Sequence, residues 1–413
     1  MSKRILFAGV SSMKHHAGQY KLYFIADILG RQGVPVTVLV PDLLENREFF
    51  TDKPHVEARF YPTGSSLGDA WRKARAVRLG DWSAIWVVGV GVRSFLVRGG
   101  GATPIIKDFD EFPSMIENIG PFRRLYLRWI ERRLIAQASG LTCASAFIEQ
   151  SVRQLRPDLG TRILRMPVAI SAEEHRIDAP MVQRLREEAA GRPVLLYVGT
   201  VNRMYGDQLD EIVKLAKALR SRGSNAIVRV AGSGPDMEYF RAKAAAARVG
   251  DSLEFTGHVR RERDLASHME AARVLLFPFP ASTFNLSRCP TKAFHYAAAN
   301  RPVVTNPTGE VATLFRDTAL YYPEHEIEAF ADRCLEAITL ADGFNNGIPF
   351  SSLTWDSRAA HLLRWLGSNG WLPGGSPSGD RRSAPSQHGG EESVQRPERR
   401  HGSAKGPERS ELS

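Results

Sequence analysis

Between Val274 and Val304 the chain reads VLLFPFPASTFNLSRCPTKAFHYAAANRPVV, and few architectures accommodate that succession. Val274 to Phe277 is a short apolar run of the kind that forms a buried strand. Pro278 and Pro280 end it, and a polar loop follows from Ala281 to Cys289. Pro290 stands where a first-turn proline belongs, ahead of a helix to about Ala299. Val303 and Val304 then open another strand. Strand, loop, helix and strand make one βαβ unit, with its loop at the strand's C-terminal end, where open parallel sheets bind ligands. The loop carries Asn285 and Ser287, and the first helical turn carries Thr291 and Lys292. Free N–H groups at a helix start, hydroxyls and one ammonium group suit a phosphate or diphosphate. The alternative is an ordinary strand-to-helix turn with a solvated lysine.

The same alternation runs through the N-terminal part. Arg4 to Val10 reads as a strand, Tyr20 to about Gln32 as an amphipathic helix and Val36 to Val40 as a second strand, with Gly33 and Pro35 at their join. The loop from Ser11 to Gly18 lacks G-x-G-x-x-G and G-x-x-x-x-G-K-[ST], which disfavours an NAD site and excludes a P-loop. Val56, Ala58 and Phe60 alternate with Glu57 and Arg59 as in a half-buried strand. The apolar run AIWVVGVGV within 81–92 reads as a buried strand and its loop; its G-x-G marks a close turn. Pro104 to Ile106 is a short strand ending in Lys107, Asp108, Phe109, Asp110 and Glu111. Three carboxylates there supply either a general base for an acceptor hydroxyl or caps and solvated loop charges.

Pro121 to Gly140 has helical period, with Leu127, Ile130, Leu134 and Ala138 on one side. Nine arginines fall within 121–165, among them Arg123, Arg124, Arg128, Arg132 and Arg133. With Trp and Tyr interspersed, the stretch suits an anionic membrane surface; a solvated arginine face is the plainer reading. No nucleic-acid motif accompanies the charge. Leu141 to Ser145 and Thr161 to Val168 complete the first set of strands, and the polar stretch Ser171 to Gly191 reads as a boundary. The pattern restarts at Pro193 to Thr200, continues with Ala226 to Val230 and Glu254 to Val259, and closes with helices at Val311 to Phe315, Glu326 to Leu340 and Trp355 to about Leu366.

Composition bounds the rest. The chain has 413 residues, 43% hydrophobic and 24% charged, enough for two α/β domains with their own cores. No apolar run approaches the ~20 residues of a membrane helix, and the N-terminus reads directly as a strand rather than a signal peptide. Three cysteines without metal or disulfide spacing point to the cytoplasm, at most peripheral at the inner face of the membrane. A net charge of +10 favours an anionic partner. From Gly367 onward apolar residues nearly vanish, so 367–413 is expected to be a disordered tail.

The segment from Pro290 to Val304 resembles the P-T-K-x-x-E-Y-x-A-x-G-x-P-V-V segment of family 4 glycosyltransferases of GT-B fold. Tyr197-Val198-Gly199, Gly232-Ser233-Gly234-Pro235 and Phe255-Thr256-Gly257-His258-Val259 resemble further family segments. The likeness spans about 4–366 and is densest over 193–304. It implies α/β architecture of GT-B type: two Rossmann-like domains facing across a cleft, with acceptor domain 1–175, donor domain 190–352 and helix 355–366 packing back on the first. It implies retaining transfer of a sugar from a nucleotide-sugar donor to an acceptor hydroxyl, lipid-linked or a polysaccharide precursor, with no enzyme nucleophile, metal or cofactor. Carried over position by position, Gly18, Gly199, Thr200, Gly232, Gly234, Asn285, Ser287 and Thr291 hold the donor. Lys292, Arg203 and His295 serve catalysis, and His16, Asp108, Asp110 and Glu111 face the acceptor. In this helix and the loop before it the chain departs from the family at three points: His295 replaces the helix glutamate, Ser287 the earlier acidic residue and Asn300 the glycine. Thr200 and Tyr205 replace the family's Arg and Lys, which leaves Arg203 to supply positive charge. The lost carboxylate pair keeps open a non-catalytic donor-binding subunit; a sugar-nucleotide epimerase is the other alternative.

Overall fold

Long apolar runs without alternation specify strands covered on both faces, and the chain has them at ILFA, AIWVV, VLLYV and VLLF, each fully or nearly fully buried. The computed structural model describes residues 3–9, 17–89, 94, 96–97, 102–173, 175–203, 208–259 and 262–373, which belong to one compact unit. The N-terminal half runs β1 (Arg4–Ala8), α1 (Ala17–Arg31), β2 (Val36–Pro41), α2 (Leu44–Thr51), β3 (Val56–Tyr61), α3 (Ser66–Arg78), β4 (Trp82–Val88) and β5 (Ile105–Phe109). It continues with α4 (Pro121–Gln137), β6 (Gly140–Cys143), α5 (Ala146–Leu155) and β7 (Ile163–Arg165). The C-terminal half runs α6 (Ala179–Glu188), β8 (Val194–Val198), α7 (Gln208–Ser221), β9 (Ile227–Ala231), α8 (Met237–Ala246), β10 (Leu253–Gly257), α9 (Glu262–Ala271) and β11 (Val274–Phe277). Then come α10 (Thr283–Ser287), α11 (Thr291–Ala299), β12 (Val303–Thr305), α12 (Gly309–Phe315), β13 (Leu320–Tyr321), α13 (Ile327–Leu340) and α14 (Trp355–Ser368).

Two parallel sheets result, ordered β3-β2-β1-β4-β5-β6-β7 and β10-β9-β8-β11-β12-β13. Each is doubly wound, so strand order reverses between β1 and β4 in the first sheet and between β8 and β11 in the second. Such a reversal opens a crevice at the strands' C-terminal edge. This is the α/β, GT-B-type architecture of two Rossmann-like sheets.

α14 returns to the N-terminal half. Trp355 stacks on Phe24 of α1 with ring centroids 5.8 Å apart. The Arg358 guanidinium donates to Pro167 O at 3.1 Å and the Trp365 indole to Thr161 O at 2.9 Å.

Several local readings need correction. α1 begins at Ala17, so Gly18 lies in its first turn rather than in a loop. The loop from Ala281 to Cys289 contains α10, and Pro290 is the residue before α11 rather than its first. β5 extends through Lys107 and Asp108, both buried, because each charge finds a partner inside. Lys107 donates to the Ser94 and Val97 carbonyls. The boundary stretch holds α6, capped by Asp178. His16, Tyr205, Gly206, the second glycine of the 81–92 loop and the tail beyond residue 373 lie outside the described residues.

Candidate functional site

At the β8/β11 reversal an open cavity of about 280 Å³ is lined from both strand ends. Tyr197, Gly199 and Thr200 come from β8 and its loop; Phe277 and Phe279 follow β11; Arg288, Thr291 and Lys292 come from the next loop and α11. Among the described residues the lining contains Arg288 and Lys292 and no carboxylate.

Local chemistry fixes α11 against this cavity. The Tyr296 hydroxyl accepts from Val198 N at 2.9 Å and donates to Leu276 O at 3.3 Å, pinning the helix to β8 and β11. No side chain caps the first turn of α11, so its amides remain oriented toward whatever occupies the cavity. Asn300 ends the helix at φ 52° and ψ 42°, the left-handed conformation that Asn tolerates better than most residues. Its side chain also accepts from Asn346 N at 2.8 Å. The replacement of the family's glycine therefore costs little here.

Lys292 Nζ sits 4.2 Å from the Tyr197 ring centre and 4.9 Å from that of Phe277. Burial, with repulsion from Arg288, pushes its pKa down to about 7. The Arg288 guanidinium lies 5.8 Å from the Phe279 ring centre and 5.4 Å from that of Phe284. Arg288 escaped the sequence reading, since it lies in an aperiodic loop; the only signal was a second cation four residues before Lys292.

The other expected donor residues divide. Gly199, Thr200 and Thr291 line the cavity. Gly232 and Gly234 do not; they support the loop that does. A Cβ on Gly232 would come 1.8 Å from Gly199 O, and one on Gly234 2.1 Å from Val201 O. Asn285 and Ser287 are buried within α10 rather than exposed to the cavity. Asn285 donates to Pro280 O at 2.9 Å and Ser287 Oγ to Phe284 O at 2.9 Å.

Of the expected catalytic residues, only Lys292 lines the cavity. Arg203 Nε is bound to Asp236 Oδ1 at 2.8 Å, and its guanidinium rests over Tyr239 at 4.6 Å. Its charge is already matched; among the described residues the arginine that lines the cavity is Arg288. His295 lies outside the lining, and burial, with His175 nearby, pushes its pKa down to about 4. A neutral imidazole there adds no charge to hold an anion.

The acceptor-side carboxylates likewise separate. Asp108 is 1% exposed, paired with Lys21 at 3.3 Å and accepting from Thr142 Oγ1 at 2.5 Å. Burial raises its pKa to about 7 against the pull of Lys21. Burial opposes the charge on Lys21, yet Asp108 and Asp110 outweigh it and hold the ammonium well above its ordinary range. Asp110 pairs with the same ammonium. Asp108 is therefore a core ion-pair member, not a base that reaches a substrate. Glu111, half-buried like Asp110, has its pKa raised by burial while Arg288, from the C-terminal half, opposes the rise. Glu111, at the edge of the first sheet, thus feels the charge of Arg288 from the second half.

The family model for Glycosyl transferases group 1 matches residues 192–339. A 2-deoxystreptamine N-acetyl-D-glucosaminyltransferase of Niallia circulans is 24% identical over 167 residues, 40% of this chain and 41% of that protein. The chain thus spans about two fifths of the length of the curated relative it matches. HepE of Anabaena, solved with UDP and glucose, superposes with a TM-score of 0.65 at 13% identity, covering 89% of this chain and 100% of that one. Sucrose-phosphate synthase of Thermosynechococcus elongatus gives 0.65 at 16% identity, over 87% and 98%. These likenesses establish the GT-B fold.

Proposed function

We propose that the chain is a glycosyltransferase that moves a sugar, with retention at the anomeric carbon, from a nucleotide-sugar donor to an acceptor hydroxyl. Residues 190–352 take the donor and residues 1–175 the acceptor. The observation that carries the reading is the pairing of Lys292 and Arg288 at the uncapped start of α11, in a cavity whose described lining has no carboxylate. The match of the family model over the same stretch and the UDP bound by HepE both support a nucleoside diphosphate there.

Breaking the sugar–phosphate bond puts negative charge on the leaving diphosphate. Two cations and a helix start already oriented toward that charge stabilise it as it develops. Lys292 gains most by this. Burial lowers its pKa to about 7, so an arriving anion favours the charged form. Glu111 is the carboxylate placed to take or orient the acceptor proton.

A second reading, a donor-binding subunit without turnover, is favoured by one observation. Ser287 and His295 stand where the family carries carboxylates, and neither lines the cavity. Calorimetry with UDP, GDP and dTDP sugars, followed by hydrolysis of whichever binds, separates the two. Binding with slow hydrolysis supports the transferase, and binding without turnover supports the subunit. Arg288→Ala is expected to weaken nucleoside diphosphate binding about tenfold or more, and Arg203→Ala far less. The reverse order would remove the cation pair from the site.

A further inference from the structure

α4 has two opposite faces with different chemistry. Ile130, Leu134 and Ile135 are buried against the sheet, with Glu131 beside them. On the other side Phe122 is 88% exposed, Leu125 68%, Tyr126 47% and Trp129 51%. Spaced i, i+3, i+4 and i+7, these four form one stripe about 100° wide, directed away from the core.

Arginines frame that stripe. On a helical wheel Arg123 flanks one side, Arg128 and Arg132 flank the other, and Arg133 continues the stripe toward the C-terminus; all four are exposed. The one acid of the helix is turned inward, where Glu131 accepts from Ser114 N at 2.8 Å and Ser114 Oγ at 2.7 Å. The outward face therefore carries aromatic and aliphatic surface and only positive charge. The remaining arginines of the 121–165 stretch are largely engaged: Arg153 with Glu149, Arg156 with Asp158 and Arg165 with Glu310. α3 packs on the same face of the first sheet and exposes Leu67 and Trp71 beside Arg75.

We infer that the outer face of α4 is a docking surface for a bilayer containing anionic phospholipid, with Phe122, Leu125, Tyr126 and Trp129 entering the headgroup region. Charge and shape select this occupant. An apolar arc bordered on both sides by cations is what an in-plane interfacial helix requires. Trp and Tyr prefer the depth where hydrocarbon meets water, and arginine stems lie along apolar surface while their guanidinium groups reach lipid phosphates. No described helix is long and apolar enough to cross a membrane, so the contact lies in the interfacial plane.

The position of α4 matters for the site. It begins at the C-terminal edge of the first sheet, a few residues after Glu111 and the short turn Pro113–Met115 that touches α10. Docking therefore sets the rim of the site against the membrane. If the transferase reading holds, an amphiphilic acceptor reaches Glu111 from the bilayer; the docking itself does not rest on that reading.

The test is sedimentation of the full chain with vesicles of phosphatidylcholine alone and of equal parts phosphatidylcholine and phosphatidylglycerol. Binding to the anionic vesicles, weakened by salt and at least about tenfold weaker on the neutral ones, is expected. Phe122→Glu with Trp129→Glu should weaken it about tenfold or more while thermal melting stays unchanged. Arg128→Ser with Arg132→Ser and Arg133→Ser should remove most of the salt dependence. Absence of vesicle binding, or equal binding by the Phe122/Trp129 variant, overturns the inference. So does heparin binding as tight as vesicle binding and insensitive to that variant, which would mark a surface for any polyanion. None of these outcomes depends on nucleotide binding, so failure here and failure of the transferase reading are told apart.

Discussion

Lys292 illustrates how burial and charge oppose each other at a single residue. Two aromatic faces lie within 5 Å of its ammonium, and cation–π attraction recovers only about 1–2 kcal/mol of what desolvation removes. With Arg288 adding repulsion, the folded pKa settles at about 7 against an ordinary 10.5. The unfolded chain therefore binds the extra proton between these two values, and the stability cost of Lys292 is full at pH 7 and fades as pH rises toward 10.5. Lys292→Met is expected to stabilise the chain by about 1–3 kcal/mol at pH 7, with the gap closing at higher pH, while abolishing most diphosphate affinity. Calorimetry adds an independent reading. At pH 8 the diphosphate should draw in up to about one proton, so the apparent binding enthalpy will differ between phosphate and Tris buffers. Equal enthalpies in the two buffers would mean that the ammonium is already charged in the empty site. Arg203, by contrast, is matched by Asp236 before any ligand comes.

At the scale of elements, the site is a set of loops held in register by backbone contact. Gly199 N donates to Ala231 O and Val201 N to Ser233 O, both at 3.1 Å, so the loop after β9 carries the loop after β8. Gly232 is required because Gly199 O occupies the space a Cβ would fill. Gly232→Ala should therefore cost about 2 kcal/mol in urea unfolding and weaken nucleotide binding more than its stability loss explains. Unchanged binding would show that the 199–201 loop does not shape the pocket. Such contacts also mark what was legible in the sequence. The strands at 194–198 and 274–277, the helix at 291–299 and the position of Lys292 in its first turn could be read, because apolar runs and a proline announce them. Arg288 could not, since a loop has no period to test. Asp108 was misplaced because its partner Lys21 lies 87 residues earlier and closes the pair only once the sheet has formed. The arginines of α4 were visible by composition, but that Phe122, Leu125 and Trp129 face outward depends on which side the sheet covers.

At the scale of the molecule, the two halves are joined by contacts that tie the start of α5 to Ser287, next to Arg288, and to Glu310. Glu310, 4% exposed, accepts from Arg165 at 2.6 Å and from Ala146 N at the start of α5 at 3.1 Å. Ser145 Oγ donates to Ser287 O at 2.7 Å beside it. This explains why Ser287, expected at the donor, is buried: its carbonyl belongs to the junction. α14 adds a second tie where Ile170 N donates to Leu353 O at 3.0 Å and Trp355 N to Ile170 O at 3.2 Å. Removing the Glu310 carboxylate leaves a guanidinium and an amide without their acceptor, so Glu310→Ala should cost about 2–4 kcal/mol. Glu310→Gln, which keeps an acceptor for Ala146 N, should cost less. The functional signature separates alignment from pocket structure. The cavity at β8 and β11 is built within 197–292, so donor affinity should survive in Glu310→Ala under conditions where the variant stays folded. On the transferase reading the reaction needs both halves in register, so kcat should fall about tenfold or more if this junction loosens. A fall in donor affinity equal to the fall in kcat would instead mean that Glu310 acts through α12 on the pocket itself, and the junction would then be a support for binding rather than for catalysis.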